Sequence, residues 1–469
     1  MSAPEVIIVG AGPAGVRAAE CLAENGIRPT VVDEGDFCGG QIYRRPPDGK
    51  ARPYEALYGH DAGTARAIHS TFEGLLSRID YRPRTLVWNV VDGFVHIHDR
   101  ADASVGRLPF SHLILATGAT DRLLPVPGWT LPGVFSLGGA QIALKSQGSL
   151  IGQRVCFAGT GPLLYLVALQ YAKAGARVRA VIETSPMSRQ LRFAPGLRHA
   201  PETAILGISF VAQLMARGIP VLRGATPAAV EGDGAVASLR VLHHGKEKTF
   251  DCDAVALGFG LRSETQLADL AGVSRVYDPR QCHWVPKAGI DGRTDRSCIY
   301  VAGDGAGILG AKAAELRGTR AALALLEDTG KRPDAARTAR LEAGIARWAD
   351  FRRALDAMYP VPVEMLKSLA DDAVVCRCEK ITMGDLRRVS ALTGAEDANR
   401  LKSFSRAGMG RCQGRFCADN VQEIAAVLRG RPLSEMGIQR CQMPVKPIPL
   451  GDLTRISPRA LPLEAGVRK

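Results

Sequence analysis

Four cysteines near the carboxyl end of the chain have the spacing of metal ligands. Cys376 and Cys378 form a C-x-C pair, and Cys412 and Cys417 form a C-x4-C pair. A thiolate is a soft ligand that prefers zinc, copper(I) or iron–sulfur clusters. Because zinc sites usually have C-x2-4-C spacing in both pairs, the pattern favours a cluster, which moves electrons one at a time. Structural zinc and four unrelated buried thiols are the alternatives.

The residues around these cysteines predict a loop and short helices that would hold the ligands. The second pair lies in a loop whose glycines would let backbone approach a metal: Gly408, Gly410 and Gly414. Thr382 and Asp385 predict a helix start with a capping box. We expect Gly408 to end a later helix and residues 420–428 to form another.

A second pattern that could do chemistry lies at the amino end. A buried strand leads into Gly10-x-Gly12-x-x-Gly15, and then come a helix and a second strand, Thr30 to Val32, which ends at Asp33. Gly10 allows the tight turn, Gly12 lets the backbone approach a pyrophosphate, and Gly15 permits close packing of helix on strand. The helix start offers free N–H groups to phosphates, and Asp33 can accept from a ribose hydroxyl. The segment therefore predicts a dinucleotide site, with a fortuitous glycine turn as the alternative.

Three further motifs carry a resemblance to a known group of proteins. In chain order they are Gly39-Gly40-Gln41, Ala116-Thr117-Gly118 and Gly303-Asp304. Together they resemble the two-dinucleotide-binding-domain flavoproteins, which include thioredoxin reductase and in which the first turn lies along FAD. The resemblance implies that Asp304 hydrogen-bonds the ribityl chain and that Thr117 and Gly118 line the crossover back to the FAD domain. The residues that we assign to the FAD site are Gly10, Gly12, Pro13, Ala14, Gly15, Asp33, Glu34, Gly40, Gln41, Arg45, Val87, Ala116, Thr117, Gly118, Gly303, Asp304 and Lys312.

The residues after Asp304 keep the spacing of that group to a helix whose start faces the pyrimidine edge of the flavin. Lys312 falls near this helix start. We predict that Lys312, together with the helix dipole, stabilises negative charge on the reduced flavin. An exposed helix lysine without such a role is the alternative.

A second unit with similar organisation lies between the two parts of the FAD domain. A buried strand runs into Gly159-Thr160-Gly161, and a later strand ends at Glu183. The resemblance implies a nicotinamide nucleotide site here. However, Leu164 stands where a third glycine would allow close packing, and Glu183 would repel the 2′-phosphate of NADP. These residues argue against NAD as a cofactor and predict a vestigial or differently occupied site.

No residues for substrate chemistry are recognisable. Relatives that reduce disulfides carry a redox-active cysteine pair near the flavin, but Cys38 stands alone and the corresponding later segment has none, which excludes disulfide reduction. His96 with His98, and His243 with His244, lack cysteine or carboxylate neighbours at ligand spacing. We expect all four to be surface histidines and assign no catalytic residue.

The composition fits a glycine-rich α/β protein. The 469 residues are 46% hydrophobic and only 6% aromatic. The net charge of +13 is dispersed, which predicts attraction for anionic cofactors or an acidic protein partner and no nucleic acid. We expect no signal peptide and no transmembrane segment. The remaining cysteines are scattered singly, so a cytoplasmic setting is expected, with attachment to the inner face of the membrane only through partners.

The expected fold is α/β, with two Rossmann-like dinucleotide-binding domains and a small helical four-cysteine domain. Leu341, Ile345, Trp348 and Leu355 recur at helical spacing and predict an amphipathic connector helix. The proline-punctuated tail should run extended over a domain or a partner. The expected units are residues 1–125 with 295–335 for FAD, 126–294 for the second nucleotide-like domain, 336–372 for the connector, 373–430 for the iron–sulfur domain and 431–469 for the tail.

The combination of an FAD domain, a degraded nucleotide domain and a C-x-C…C-x4-C module resembles one specific family. It comprises the alpha, or A/B-type, subunits of opine oxidases, hydrogen cyanide synthase and D-hydroxyproline or related amino-acid dehydrogenase complexes. The cysteine module is similar to the bacterioferritin-associated-ferredoxin fold, which binds a [2Fe-2S] cluster. Simpler members of that fold use C-x2-C for the second pair, whereas this chain has C-x4-C.

The resemblance implies a catalytic beta subunit with its own FAD, which oxidises the C–N bond of an amine or amino acid. As in some relatives, the resemblance also implies a small ferredoxin-like subunit, and a second flavin, FMN, at a subunit interface. The expected function is relay of electrons from the partner's flavin to an external acceptor, either a protein or the respiratory chain. A self-sufficient NADH-dependent FAD/[2Fe-2S] oxidoreductase and a structural scaffold subunit are the alternatives.

Overall fold

Two parallel five-stranded sheets form the centre of the computed structural model, which describes residues 5–47, 49, 52–395, 397–461 and 463. The strand order of the first sheet is Ile299–Val301, His112–Leu115, Val6–Val9, Thr30–Val32 and Asp80–Arg82. The edge strand Ile299–Val301 comes from the part of the chain that follows the second nucleotide-like unit. Ile8, Val31 and Ile114 are completely buried in it, because helices cover both faces of a parallel sheet.

The second sheet repeats this parallel architecture. Its strand order is Val221–Arg223, Arg177–Glu183, Arg154–Gly159, Ala254–Gly258 and Val134–Ser136. Each of the two units also has a three-stranded antiparallel sheet, formed by Thr85–Val91, Phe94–Asp99 and Ser104–Pro109 in the first and by Ala225–Glu231, Ser238–His243 and Lys246–Asp251 in the second. Three two-stranded pairs complete the described strands: Ala119–Asp121 with Leu261–Ser263, Arg275–Asp278 with His283–Pro286, and Val374–Cys376 with Ile381–Thr382.

Helices pack on both sheets and confirm the predicted α/β fold with Rossmann-like sheets. Helices Pro13–Glu24 and Ala311–Asp328 cross closely because Gly318 has no side chain: a Cβ there would lie 2.0 Å from Ala14 O. Among the described residues, no helix combines the length and the apolar character needed to cross a bilayer. The other helices are Tyr54–Tyr58, Ala62–Leu75, Leu137–Ile142, Pro162–Lys173, Met187–Phe193, Pro201–Ala216, Gln266–Leu270, Ala335–Met358, Glu364–Lys367, Met383–Thr393, Ala398–Ser405 and Ala418–Arg429.

The small carboxyl-terminal module follows the predicted helix start but not the predicted helix end. Thr382 Oγ1 accepts from Asp385 N, and Asp385 Oδ2 accepts from Thr382 N, so the capping box is confirmed. The prediction that Gly408 ends a helix is wrong. Helix Ala398–Ser405 ends with Arg406, which takes the left-handed conformation itself at φ 66°.

The tail after the module crosses the FAD domain. Val445 N donates to Trp88 O, and Val105 N donates to Arg455 O. The tail also buries His98, so the prediction of a surface histidine is wrong at this position. His98 is only 5% exposed, and its Nε2 lies 2.8 Å from Asp452 Oδ2, because the tail lies over that strand.

Candidate functional site

The amino-terminal glycine loop forms a backbone cradle that has no room for side chains. Gly10 has a φ of 107°, and a Cβ on it would lie 2.4 Å from Ala116 O. A Cβ on Gly15 would lie 1.8 Å from Gly10 O, so helix Pro13–Glu24 rests directly on the turn. Gly12 precedes this helix without a side-chain cap, which leaves the first-turn N–H groups available to an anion. The loop therefore fits a dinucleotide pyrophosphate.

Two distant segments approach this loop. A Cβ on Gly40 would lie 3.0 Å from Gly12 Cα, so the predicted FAD turn folds over the glycine loop. A Cβ on Gly303 would lie 2.8 Å from the Ala14 Cβ atom. The structure thus brings together glycines from three of the motifs that were assigned to FAD.

The acidic residues after the second strand have partners within the protein. Asp33 Oδ2 accepts from Ala11 N at 2.6 Å, and Oδ1 accepts from Gly35 N at 2.7 Å. Burial raises the pKa of Asp33, and these two hydrogen bonds oppose the rise. The Asp33 carboxylate is therefore oriented beside the glycine loop and remains partly exposed. Glu34 pairs with Lys446 of the tail.

Three other predicted FAD residues differ in their surroundings. Gln41 is exposed, and Arg45 Nη1 donates to Glu73 Oε1 at 2.7 Å. Val87 is 4% exposed and packs in the core. A contact between Val87 and a cofactor would therefore use its backbone.

The helix after the Gly303-Asp304 motif begins beside the Asp304 carboxylate, which backbone hydrogen bonds hold in place. Asp304 Oδ1 accepts from two backbone N–H groups, at 2.9 Å each, immediately before helix Ala311–Asp328. Lys312 is exposed, and its ammonium lies 5.7 Å from the centroid of the Trp348 ring. Trp348 belongs to the connector helix, so the Lys312 side chain contacts the connector.

One short segment links the FAD motifs to each other. Thr117 Oγ1 donates to Glu264 O at 2.6 Å, and Glu264 N donates to Gly118 O at 2.9 Å. Ser263 Oγ donates to Asp304 O at 2.6 Å. No sequence signal points to Ser263 or Glu264, because their role depends on backbone contacts between distant parts of the chain.

The acid of the second nucleotide-like domain is closed off from solvent. Glu183 is 0% exposed. Its Oε1 accepts from Thr160 Oγ1 and Ser185 N at 2.8 Å each, and its Oε2 accepts from Gly161 N at 3.0 Å. Burial raises the pKa of Glu183 to about 7. A ribose hydroxyl therefore has no access to this carboxylate.

The end of the connector helix covers the same site. Ser185 Oγ donates to Met358 O at 2.5 Å, and Arg189 Nε donates to Ala357 O at 2.9 Å. Tyr359 lies near enough to Glu183 for the carboxylate to raise the pKa of the phenol, after the larger effect of burial. Leu164, at the third glycine position, is 0% exposed and packs in the core of this domain.

The four cysteines of the carboxyl-terminal module come together as two pairs. The side chains of Cys376 and Cys417 are in hydrogen-bonding contact, as are those of Cys378 and Cys412. The Cys417 thiol and nearby backbone N–H groups lower the pKa of Cys376 to about 6, which favours the thiolate that a metal needs. Two pairs of thiols match the ligands of a two-iron cluster. Within the described part of the chain, no three His, Cys, Asp or Glu side chains converge as ligands of a single ion.

The cluster loop is tied to the flavin-domain motifs. Arg415, between the last two cysteines, has its Nε 3.3 Å from Glu264 Oε2. Gln266 Nε2 donates to Gln413 O at 2.8 Å. Because the backbone of Glu264 bonds Thr117, this residue connects the two predicted cofactor sites.

A buried ion pair fixes the module on the rest of the protein. Arg122 pairs with Glu423 of helix Ala418–Arg429, and their side chains are 1% and 5% exposed. Arg122 Nη1 also donates to Gln281 O at 2.8 Å. Trp129 Nε1 donates at 2.6 Å to Val374 O, two residues before Cys376 in the same strand. The sequence signal for Arg122 is weak, a charged residue directly before the apolar pair Leu123 and Leu124.

Known protein families match both the flavin-domain region and the cysteine module of this chain. The family model for pyridine nucleotide-disulphide oxidoreductases matches residues 4–343, and that for BFD-like [2Fe-2S] binding domains matches residues 374–426. The chain is 36% identical to the A-type subunit of opine oxidase from Rhizobium meliloti, over 98% of this chain and 89% of that protein. The chain belongs to the family of A-type opine oxidase subunits. Hydrogen cyanide synthase subunit HcnB of Pseudomonas aeruginosa is 31% identical over 97% of this chain and 99% of that protein.

Solved structures show the same fold. L-proline dehydrogenase from P. horikoshii superposes with a TM-score of 0.69 at 20% identity, covering 97% of this chain and 80% of that one. Thioredoxin reductase from T. acidophilum gives 0.53 at 21% identity, covering 71% of this chain and all of the other. The predicted family is therefore confirmed, and this member of it is a flavin oxidoreductase whose cofactors are FAD and a [2Fe-2S] cluster.

Proposed function

We propose that this chain is the electron-transfer subunit of a heteromeric amine or amino-acid dehydrogenase or oxidase. A catalytic beta subunit with its own FAD would oxidise the C–N bond of an opine, a D-hydroxyproline-like amino acid or glycine. This chain would pass the electrons to an external acceptor. FAD supplies two-electron chemistry and the cluster supplies one-electron chemistry, so one chain that holds both can connect the two kinds of reaction.

The observation that carries the proposal is the closed site around Glu183. This carboxylate is completely buried and hydrogen-bonded, and the connector helix lies over it. NADH would need that place for its ribose, so its closure argues against NADH as the source of electrons. Electrons would then enter from another subunit, which supports the relay over a self-sufficient reductase.

The link through Glu264 supports the same function. Its backbone bonds the predicted FAD crossover, and its side chain pairs with Arg415 in the cluster loop. A scaffold subunit has no need for a direct connection between its two cofactor sites. We therefore assign the FAD role to the residues from Gly10 to Lys312 named above and the cluster role to the four cysteines.

A catalytic partner is also supported by the surface of helix Pro201–Ala216. Ile205, Ile208 and Met215 lie on one face of this helix and are 67%, 66% and 61% exposed. An exposed apolar face of this kind is typical of an interaction site. The relatives named above are themselves subunits of larger enzymes, so we propose that the catalytic subunit covers this face. The cysteines outside the cluster pairs are free thiols, which supports a cytoplasmic setting.

The decisive experiment determines whether the electrons come from NADH or from a substrate of the catalytic subunit. The chain is purified alone and in complex with its catalytic subunit, and each sample is mixed anaerobically with NADH or with candidate opines and amino acids. We expect the substrate to bleach the flavin and to produce a cluster EPR signal only in the complex, and NADH to do neither. Bleaching of the isolated chain by NADH would support the self-sufficient reductase. A flavin in this chain that stays oxidised in the complex would support the scaffold.

A further inference from the structure

The cluster site has one outward edge. Cys376 and Cys417 are each 1% exposed, whereas Cys378 and Cys412 are partly exposed. A Cβ on Gly410 would lie 2.3 Å from the Cys378 Cβ atom, so backbone covers this edge without a side chain. Electron transfer to another protein requires close approach, and the Cys378 and Cys412 side is where such a protein can come nearest.

This edge is surrounded by basic residues that lack acidic partners. Among the described residues, these exposed side chains form no ion pair or hydrogen bond within the chain: Arg377, Lys380, Arg400, Arg411 and Arg440. The nearby acids are already engaged. Glu379 pairs with Arg406 at 3.0 Å, and Asp397 accepts from two backbone N–H groups at the start of helix Ala398–Ser405. The five unpaired cations outnumber these acids, although Asp397 itself lines the groove beside this edge, so the surface near the exposed cysteines carries a net positive charge.

A groove of about 620 Å³ opens beside the same edge. Helix Ala398–Ser405, the cluster loop and the tail form its walls, and its lining includes Arg400, Met409, Gln413 and Arg440. The tail wall is held in place by Asn399, whose Nδ2 donates to Ile438 O at 2.5 Å and whose Oδ1 accepts from Arg440 N at 2.8 Å. These hydrogen bonds hold the tail against the cluster module, so the groove between them is a defined part of the fold.

We propose that this basic face and groove dock a small acidic one-electron carrier protein, which takes electrons from the cluster edge. The inference rests on the relay function proposed above and adds the class of the acceptor and its binding site. Complementary charge would steer the carrier to the cluster, and Phe416, 44% exposed in the loop between the last two cysteines, offers an apolar contact. Oxidation of an amine to an imine releases two electrons and two protons. Each docking passes one electron, so two carriers are each reduced once and the protons go to solvent.

The test uses the complete chain with both cofactors and measures binding as well as electron transfer. The probes are an acidic plant-type [2Fe-2S] ferredoxin and the basic one-electron acceptor cytochrome c. Binding is measured by calorimetry at about 20 mM and about 150 mM salt, because screening weakens exposed charge pairs. The variants are Arg400→Glu and Arg440→Glu, and the matched control is Arg340→Glu, an exposed arginine of the connector helix.

We expect the ferredoxin to bind, and its Kd to rise by about tenfold in each groove variant at low salt and to remain unchanged in the control. Cytochrome c should bind the wild type no more tightly than it binds the Arg340→Glu control. The proposal would be overturned if the ferredoxin bound all variants equally. It would also be overturned if cytochrome c bound the wild type more tightly than it bound the control. Loss of the catalytic subunit from Arg400→Glu would overturn it as well, since the face would then belong to that subunit. Failure of the relay function itself would show separately, as absence of a substrate-induced cluster signal in the wild-type complex.

Discussion

Replacement of Glu183 by glutamine should change how the stability of this protein depends on pH. The Glu183 carboxyl is 0% exposed, and no hydrogen-bond partner in its site carries a positive charge: it accepts from Thr160, Gly161 and Ser185. Burial raises its pKa from 4.5 to about 7. At 1.36 kcal/mol per pKa unit, this shift corresponds to about 3 kcal/mol.

The sign follows from where the proton is bound. Between pH 4.5 and about 7, folded Glu183 keeps a proton that the unfolded chain has already released. The folding free energy contributed by this group is therefore most favourable at low pH and declines as the pH rises through that window. Above pH 7 both states are ionised, and the full cost of the buried charge remains.

Urea unfolding at pH 5, 6, 7 and 8 measures this effect in the wild type and in Glu183→Gln. We expect the unfolding free energy of the wild type, relative to the variant, to fall by about 2.5 kcal/mol across the series, because part of the shift lies below pH 5. The pH dependence is a better readout than the absolute stability. The glutamine amide N–H would face donors such as Gly161 N, and this would destabilise the variant at every pH. Glu202→Gln, at an exposed position, is the control and should parallel the wild type. Parallel profiles for Glu183→Gln as well would refute the reasoning, since the carboxylate would then be open to water or paired with a cation.

Three further predictions concern the cluster, its attachment and the partner surface. Cys412→Ser should abolish the cluster EPR signal and leave the FAD content unchanged, whereas Cys441→Ser should retain both; loss of FAD as well would contradict two independent sites. Arg122→Met leaves Glu423 as an unpaired buried charge and should cost about 3–5 kcal/mol in urea unfolding, whereas the more exposed Arg406 should tolerate the same change with little loss. Ile208→Glu should prevent co-purification with the catalytic subunit without altering the cofactor content or the thermal melting of the isolated chain, and an intact complex would exclude this helix face as the interface.

Local sequence was sufficient for the features that depend on residue type and short spacing. The turn at Gly10 needs a positive φ and a close approach of Ala116 O, which only glycine satisfies. The cysteine pairs were recognisable because thiolates at close spacing have few other uses. The capping box of Thr382 and Asp385 likewise involves residues within one turn of helix. In each case the physical requirement acts over a few residues, so it is visible in the chain itself.

Tertiary structure decided which of these features are accessible and which are connected. Leu164 and Glu183 argued against a nicotinamide site, but its closure depends on Met358, far along the chain. The same holds for His98, whose burial depends on Asp452 of the tail, and for Glu264, whose contacts join the crossover to the cluster loop. Such contacts arise when elements far apart in the chain pack together, and a local pattern shows that a face is buried without showing which distant residue lies against it. The sequence by itself therefore determined which cofactors the chain can hold, whereas only the folded protein decided that one nucleotide site is closed and that the other is connected to the cluster.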